Sequence, residues 1–375
     1  MANPLHAIHE RAGVEFQAYG QTPIPLTFGE PQAEYAAIRK GAAIVDRPYR
    51  GILEVTGKDR LAFLNNLLTN QVWDKEKKTG LATGQGVYGF FLNTKGRIVS
   101  DMNVIEFGDR TWLEMEEEKV ETVKAAFEKY LFAEQVKMRS LVGEVHQLFI
   151  CGPKVGEILK LPQMSQLTSQ SIQLLDQPVR VFRDDVCGIA GYALMIPSAA
   201  AQMFWDHFTQ GGERNFDEDM RFRGLARPCG WAAFNTTRIE AGRPLFGIDF
   251  DESVLPAETG LFDRAVSLTK GCYLGQEIVA RMHARGQVAR KLVGIRMEGD
   301  ALPLAGAKIY DDQQSEIGGI TSSTISPVLS NIAICLGYVK KPFFATGTKL
   351  NIPAEGSIRI GQVVDLPFIG WPSSP

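Results

Sequence analysis

The sequence predicts an α+β protein: two mixed α/β lobes followed by a C-terminal antiparallel β-barrel. Three observations carry this. Helical and strand periodicities alternate through residues 1–285, the texture changes to short strands and regular turns near Gly286, and 375 residues are too many for one ordinary core. The expected division is therefore 1–285 for the two lobes and 286–375 for the barrel.

In the first lobe, Gln32 to Lys40 reads as a helix stopped by Gly41, and Arg50 to Thr56 as a strand. Lys58 to Thr69 reads as a helix, because Leu61, Leu64, Leu67 and Leu68 share one face. Val87–Asn93 and Arg97–Ile105 read as strands around the turn Thr94-Lys95-Gly96, and Trp112–Met115 as another strand. Glu117 to Leu131 repeats Val120, Val123, Phe127, Tyr130 and Leu131 at helical spacing.

In the second lobe, Leu148–Cys151, Arg180–Arg183 and Tyr192–Ile196 read as strands. Helices are expected over Pro153–Leu159, over Ser198–Thr209 with Ser198 as cap, and over Trp231–Glu240, ended by Gly242. Gly242 to Gly271 is irregular, and a long irregular segment in a compact protein is usually functional. Six strand-like runs follow, Lys291–Met297, Ala307–Tyr310, Gly318–Ser323, Ile332–Val339, Lys349–Ile352 and Ile358–Val363.

Composition bounds the function. Hydrophobic residues make up 45% and charged residues 22%, as in ordinary globular proteins. A net charge of -3, from 40 basic and 43 acidic residues, supplies no global field for nucleic acid or membrane. Five scattered cysteines without a CxxC pair predict free thiols in a reducing compartment and exclude a complete four-cysteine cluster site in one motif. Neither a secretory signal nor a membrane span is expected, so the protein reads as cytoplasmic, with no metal site. The sequence contains no Walker loop, GxGxxG before a helix, GxSxG or HExxH.

Three segments offer chemistry. In Lys270-Gly271-Cys272-Tyr273-Leu274-Gly275-Gln276-Glu277, glycines flank a thiol, Lys270 can favour its thiolate, and Gln276 and Glu277 add a polar pair for a ligand. The alternative is that Cys272 is a small packed hydrophobe. Arg281, His283, Arg285, Arg290 and Lys291 form a basic cluster that suits an anion or a solvated face. The run Arg238-Ile239-Glu240-Ala241-Gly242 offers two charges for a pocket or for ion pairs around a loop. Asp101 interrupts an apolar strand, where it could orient an amine or accept its proton, or simply bond to neighbouring backbone.

These segments, with Gly57-Lys58-Asp59-Arg60-Leu61, Thr69-Asn70 and Gly319-Ile320-Thr321-Ser322, resemble the tetrahydrofolate-binding aminomethyltransferases of the glycine cleavage system and their relatives. The resemblance spans nearly the whole chain and implies two lobes and a barrel around a central folate-type pocket. The KGCYLGQE run resembles the YgfZ branch. That branch implies a role in assembling or repairing iron–sulfur clusters, with effects on tRNA-modifying enzymes.

The expectations that follow from the resemblance are these. Cys272 is the functional centre, supported by Lys270, and Asp101, Arg238, Glu240, Gln276 and Glu277 hold a reduced folate. Partners are iron–sulfur client or assembly proteins and folate itself, without membrane or direct nucleic-acid binding. The alternative is a tetrahydrofolate-dependent aminomethyltransferase or demethylase acting through Asp101. A third expectation is a folate sensor without catalysis. Two departures from the aminomethyltransferase pattern argue against glycine cleavage: Ile189 stands where the resemblance places a pterin-binding acid, and Phe234 where it places an arginine.

Overall fold

A computed structural model describes residues 3–210, 224–285 and 288–370. The chain begins with α1 (His6–Arg11), the hairpin β1 (Glu15–Tyr19) and β2 (Thr22–Thr27), α2 (Pro31–Lys40), β3 (Ala43–Asp46), β4 (Arg50–Thr56) and α3 (Arg60–Leu67). It continues with β5 (Trp73–Asp74), β6 (Thr79–Gly80), β7 (Gly86–Leu92), β8 (Ile98–Glu106), β9 (Arg110–Glu116), α4 (Val120–Glu128) and β10 (Lys137–Ser140). The next part holds β11 (Val145–Cys151), α5 (Val155–Leu159), β12 (Ser169–Leu174), β13 (Gln177–Arg183), β14 (Gly191–Pro197), α6 (Ala201–Gln210), β15 (Arg227–Pro228), α7 (Trp231–Glu240), α8 (Phe262–Ala265) and α9 (Gln276–Arg285). The last strands are β16 (Arg290–Met297), β17 (Lys308–Tyr310), β18 (Glu316–Ser326), β19 (Ile332–Lys340), β20 (Lys349–Ala354) and β21 (Ser357–Val364).

The first lobe is an antiparallel sheet of order β10-β4-β9-β8-β7. The second has order β12-β13-β14-β11-β3-β15, antiparallel except where β15 runs parallel to β3. The lobes are therefore interleaved in sequence, because β3 lies beside β11 while β4, four residues on, starts the other sheet. Strands β16-β19-β18-β17-β20-β21 close into the expected antiparallel barrel. The expected division at Gly286 lies outside the described residues.

Each sheet covers its outer face with helices. Leu61, Leu64 and Leu67 of α3 and Val120, Val123 and Phe127 of α4 pack on the first lobe, while Phe204, Trp205 and Phe208 of α6 pack on the second. The inner faces meet through Ile52, Ile105 and Trp112 on one side and Phe149, Phe182 and Met195 on the other. Trp231 and Phe234 of α7 fill the same core. Seven of the ten residues of α7 are buried, including Arg238 and Glu240, so this helix is an interior strut with no solvent face to keep polar.

Three reading errors have physical causes. Ser198 does not cap α6: it belongs to a 3-10 turn, Ser198–Ala200, whose own cap is Pro197. The helix expected to Leu131 begins as a 3-10 turn at Glu117 and its α-helical part ends at Glu128. Helix α9, QEIVARMHAR, was not expected, although Ile278, Val279 and Met282 mark an apolar face at helical spacing.

Gly57 precedes α3 with φ +106, and a Cβ there would stand 1.9 Å from the carbonyl oxygen of Gln135. Gly57→Ala is expected to destabilise the protein by about 2–4 kcal/mol, measured by urea unfolding.

Candidate functional site

Two cavities meet the interior between the lobes and the barrel. The larger, about 930 Å³, is walled by Arg183, Asp185, Arg243, Asp263 and Arg264 among others. The smaller, about 580 Å³, is lined by Tyr19, Tyr49, Glu116, Trp231 and Ser322 among others. Both volumes suit small-molecule sites. Between them stands the pair Tyr88–Asp101. On the side of the larger cavity, the guanidinium of Arg264 lies 5.1 Å from the centre of the Tyr88 ring. Tyr88 Oη donates to Asp101 Oδ2 at 2.8 Å. On the side of the smaller cavity, Asp101 adjoins the charges of Arg50 and Glu116.

Strand register builds this cluster. Asp101 and Asn103 alternate onto one face of β8, and Glu114 and Glu116 onto one face of β9. Asn103 sits opposite Glu114 across the β8–β9 ladder, and Arg50 opposite Glu116 across β4–β9. Arg50 bonds Glu114 Oε2 at 2.8 Å and Glu116 Oε1 at 3.0 Å. Tyr19 Oη donates to Glu116 at 2.9 Å. Asn103 and Gln147 both donate their amide N–H to Glu114, at 2.9 and 3.0 Å. Among the described residues the Arg47 side chain makes one hydrogen bond, to Tyr49 Oη at 3.2 Å, and its guanidinium lies 5.1 Å from the centre of the Phe149 ring and 5.7 Å from that of Phe234.

Three buried carboxylates thus face two buried guanidiniums, leaving one negative charge in excess. The excess appears as held protons. Burial, aided by the charge of Asp101, pushes Glu116 up to about 7. Burial, aided by Glu114, also raises Asp101 above the usual carboxylate range. Glu114, by contrast, is held low: burial opposes, but Arg50 outweighs it. Within the cluster, three buried oxygens lack a hydrogen-bond donor: Asp101 Oδ1, Asn103 Oδ1 and Gln147 Oε1. All belong to side chains of this cluster. The cluster thus keeps acceptor capacity and a proton that exchanges near neutral pH; Glu116 lines the smaller cavity, while Asp101, Asn103 and Gln147 line neither.

The other residues singled out in the sequence go elsewhere. Arg238 is fully buried, paired with Asp249 and donating to Ser322 Oγ at 2.6 Å. Glu240 pairs with Arg39 and accepts from Tyr35 Oη at 2.9 Å and from Ser326. Both side chains are spent on holding α7 against the barrel and α2, although Arg238 still touches the smaller cavity.

Cys272 is exposed, whereas Cys151, Cys187, Cys229 and Cys335 are buried. Lys270 does not support the thiol. Its ammonium is buried and donates to the backbone carbonyls of Asn65 at 2.6 Å, Asn70 at 3.0 Å and Leu68. It closes the carboxyl end of α3, where helix carbonyls lack partners. Burial, with a smaller push from Lys75, lowers it to about 7. Gly275 has φ +80, and a Cβ there would stand 2.8 Å from Asn93 O, so this glycine admits another loop of the chain. Gln276 and Glu277 start α9, Glu277 exposed, and neither lines a cavity. In the basic cluster, Arg281 is exposed, His283 stacks on Phe262 at 5.4 Å, and Arg290 approaches Glu258. Ile189 and Phe234 both join the apolar core between the lobes.

Sequence reading missed Tyr88, Arg47, Arg50, Glu114 and Glu116. The signal was present as charged residues alternating within β9, Glu114 and Glu116 in Trp112-Leu113-Glu114-Met115-Glu116. Among the described residues, no group of three or more His, Cys, Asp or Glu is arranged to hold a metal ion, and no helix is long and apolar enough to cross a membrane.

Two measurements test this geometry. In the native protein, a thiol reagent should modify one cysteine, Cys272, rapidly. Lys270→Met should leave that rate within about two-fold while costing about 1–3 kcal/mol of stability through three unsatisfied carbonyls. Glu116 has a folded pKa of about 7, above its ordinary value of 4.5, so the folded state binds the extra proton. Its share of stability is complete below about pH 4.5 and is lost as pH rises through about 7. Glu116→Gln is expected to flatten that part of the stability–pH curve; an unchanged slope in urea titrations between these limits would count against a protonated Glu116.

Comparison with known proteins agrees with this architecture. The family model described as the GCVT N-terminal domain matches residues 5–270, and that of the glycine cleavage T-protein C-terminal barrel domain matches residues 290–369. The chain is 28% identical to an aminomethyltransferase of Cutibacterium acnes over 97% of both chains, and 28% identical to one of Chloroherpeton thalassium over 98% of both. The crystal structure of the glycine cleavage system aminomethyltransferase T from Bartonella henselae superposes with a TM-score of 0.84, at 22% identity, over 98% of this chain and 97% of that one. That likeness shows a shared fold. With both of its parts matched in order along nearly the whole chain, this protein belongs to the GCVT family, N-terminal domain followed by C-terminal barrel.

Proposed function

We propose that the protein is a tetrahydrofolate-dependent one-carbon transferase of the aminomethyltransferase type, with Asp101 as the group that handles the proton of the reacting amine. Aminomethyltransferase is the name carried by the relatives, and it agrees with the alternative raised by the sequence in place of the iron–sulfur assembly role. The observation that carries the reading is Asp101 itself. It is buried, its pKa is raised, one oxygen is held by Tyr88, and the other has no donor.

The residues present suit a reduced pterin in one respect that can be read directly. The oxygens without a donor, on Asp101, Asn103 and Gln147, are acceptors, and a reduced pterin presents ring N–H and amino donors. Tetrahydrofolate, when bound, supplies the nitrogen that receives the one-carbon unit. The chain supplies the rest. Tyr88 fixes the Asp101 carboxyl, Arg50 limits how far its pKa climbs, and Glu116 keeps a second proton within the same cluster. Phe234 and Ile189 leave the neighbouring core apolar, which strengthens these charge interactions.

A second reading places the chain in the YgfZ branch, with Cys272 acting on iron–sulfur proteins in the cytoplasm. One observation favours it: Cys272 is the exposed thiol among five cysteines. In a strain lacking the gene, that reading requires that Cys272→Ala fail to restore an iron–sulfur-dependent tRNA-modifying enzyme while wild type succeeds.

For the favoured reading, Asp101→Asn is expected to lower turnover of an aminomethyl or methylamine donor with tetrahydrofolate by about 10²–10⁴-fold. Tetrahydrofolate affinity should fall much less than turnover, although the single oxygen of asparagine serves either Tyr88 or the ligand. Turnover undiminished in this variant would refute the role of Asp101.

A further inference from the structure

The smaller cavity has aromatic walls and a carboxyl among them. Tyr19 of β1 lies face to face with Tyr49, ring centres 4.2 Å apart. Trp231 of α7 stands nearly perpendicular to both, 5.3 Å from Tyr19 and 6.4 Å from Tyr49. Two neighbouring rings already hold cations: the Lys119 ammonium lies 5.6 Å from the centre of Phe246, and the Arg47 guanidinium 5.6 Å from that of Tyr49. Among the described residues no cation stands over Tyr19 or Trp231. Glu116 meets the cavity beside Tyr19, whose hydroxyl donates to Oε1 at 2.9 Å, and Arg50 bonds the same oxygen at 3.0 Å. Glu116 is 8% exposed, and its Oε2 makes no hydrogen bond among the described residues.

The cations of this wall are answered by acids. Arg238 pairs with Asp249, and Lys119 with Glu252 at 2.5 Å. Glu118, also on the wall, accepts the Gln21 N–H at 2.8 Å and has no cation partner among the described residues. Behind Glu116 the charge is again negative. It is faced by Arg50 of β4, by Arg47 just before that strand, by Asp101 of β8 and by Glu114 of its own strand, three carboxyls to two guanidiniums. A proton makes up the difference, since burial, aided by Asp101, raises Glu116 to about 7. A cation seated against the rings would supply the same charge from outside and let that proton leave. An ammonium carrying methyl groups suits such a place, because its charge is attracted by ring faces and by a carboxylate at once.

We infer that the smaller cavity is a binding site for a methylated ammonium, held by the rings of Tyr19 and Trp231 and by the carboxylate of Glu116. The site does not rest on the one-carbon reading, since it uses neither tetrahydrofolate nor a proton on Asp101. Binding is coupled to proton release. Glu116 is protonated below about pH 7 and gives up that proton as the cation arrives, so affinity rises with pH through this range and levels off above it.

The test uses the full chain and ligand-observed NMR titrations with choline, tetramethylammonium and 3,3-dimethyl-1-butanol. The last keeps the shape of choline with carbon in place of nitrogen. At about pH 8, wild type should bind at least one of the two cations about 10-fold or more tighter than the alcohol. Affinity for that cation should rise about three- to tenfold from about pH 6 to about pH 8, while affinity for the alcohol stays level. Glu116→Gln resembles the protonated carboxyl that wild type already holds near neutral pH, so the fold tolerates it. This variant should lose the pH dependence and keep the weaker affinity seen in acid. Tyr19→Leu, once its melting temperature shows it folded, should reduce the preference for cation over alcohol by about threefold or more. Wild type alone can overturn the site: by binding alcohol and cations equally, by a cation affinity that does not change between the two pH values, or by binding neither cation at millimolar concentration. A pH dependence that survives Glu116→Gln overturns it as well.

Discussion

Arg238 has no exposed surface, and its guanidinium is shared between Asp249 in the irregular loop and Ser322 on barrel strand β18. Asp249 in turn accepts from Thr321, Ser322 and the Leu245 N–H, so every charge in this knot is answered. Two residues on, Glu240 is answered by Arg39, Tyr35 and Ser326. Thr236 meets Thr324 at 2.7 Å between them. Helix α7 is therefore bonded to alternate residues of β18 along half its length. Burying such ions costs several kcal/mol apiece unless they are paired, and removing one partner of a buried pair typically costs about 3–5 kcal/mol. The barrel's seat on the lobes, and with it the walls of both cavities, depends on this pairing.

The cluster around Asp101 is arranged on the opposite principle. There the charges do not balance, and three buried oxygens have no donor. A structure that satisfies Arg238 and Glu240 so fully, and leaves Asp101, Asn103 and Gln147 partly unsatisfied, separates its framework from its chemistry. The framework charges are locked, whereas the site charges retain a proton and acceptor capacity for something that arrives. The two cavities lie on either side of this region, one aromatic with Tyr19, Tyr49 and Trp231, the other rich in arginine.

The KGCYLGQE loop shows how one motif divides between these tasks. Lys270 stabilises the end of α3 and Gly275 lets the loop pass the Asn93 turn. Leu274 N bonds Asn66 O, and Ser267 N bonds Thr69 O. These anchors leave Cys272 on the surface, away from Asp101. Cys272 is exposed, and the ammonium of the lysine near it in sequence is spent on backbone carbonyls.

Local pattern alone determined the strands of the barrel, helix α3, the amphipathic helix α4, the interior helix α7 and the position of Asp101 in an apolar strand. Each is written in the spacing of neighbouring residues, which backbone geometry converts directly into faces. Pairings between distant strands are not written that way. Only the tertiary structure decided that β3 joins β11, that Arg50 stands opposite Glu116 and Asn103 opposite Glu114, and that Arg243 and Arg264 share a wall. It also decided that Arg238 and Glu240, read as folate-holding charges, and Lys270, read as the support of Cys272, turn inward to partners 11 to 205 residues away. A charged side chain looks the same in sequence whether its counter-ion is protein or ligand, and burial settles which it must find.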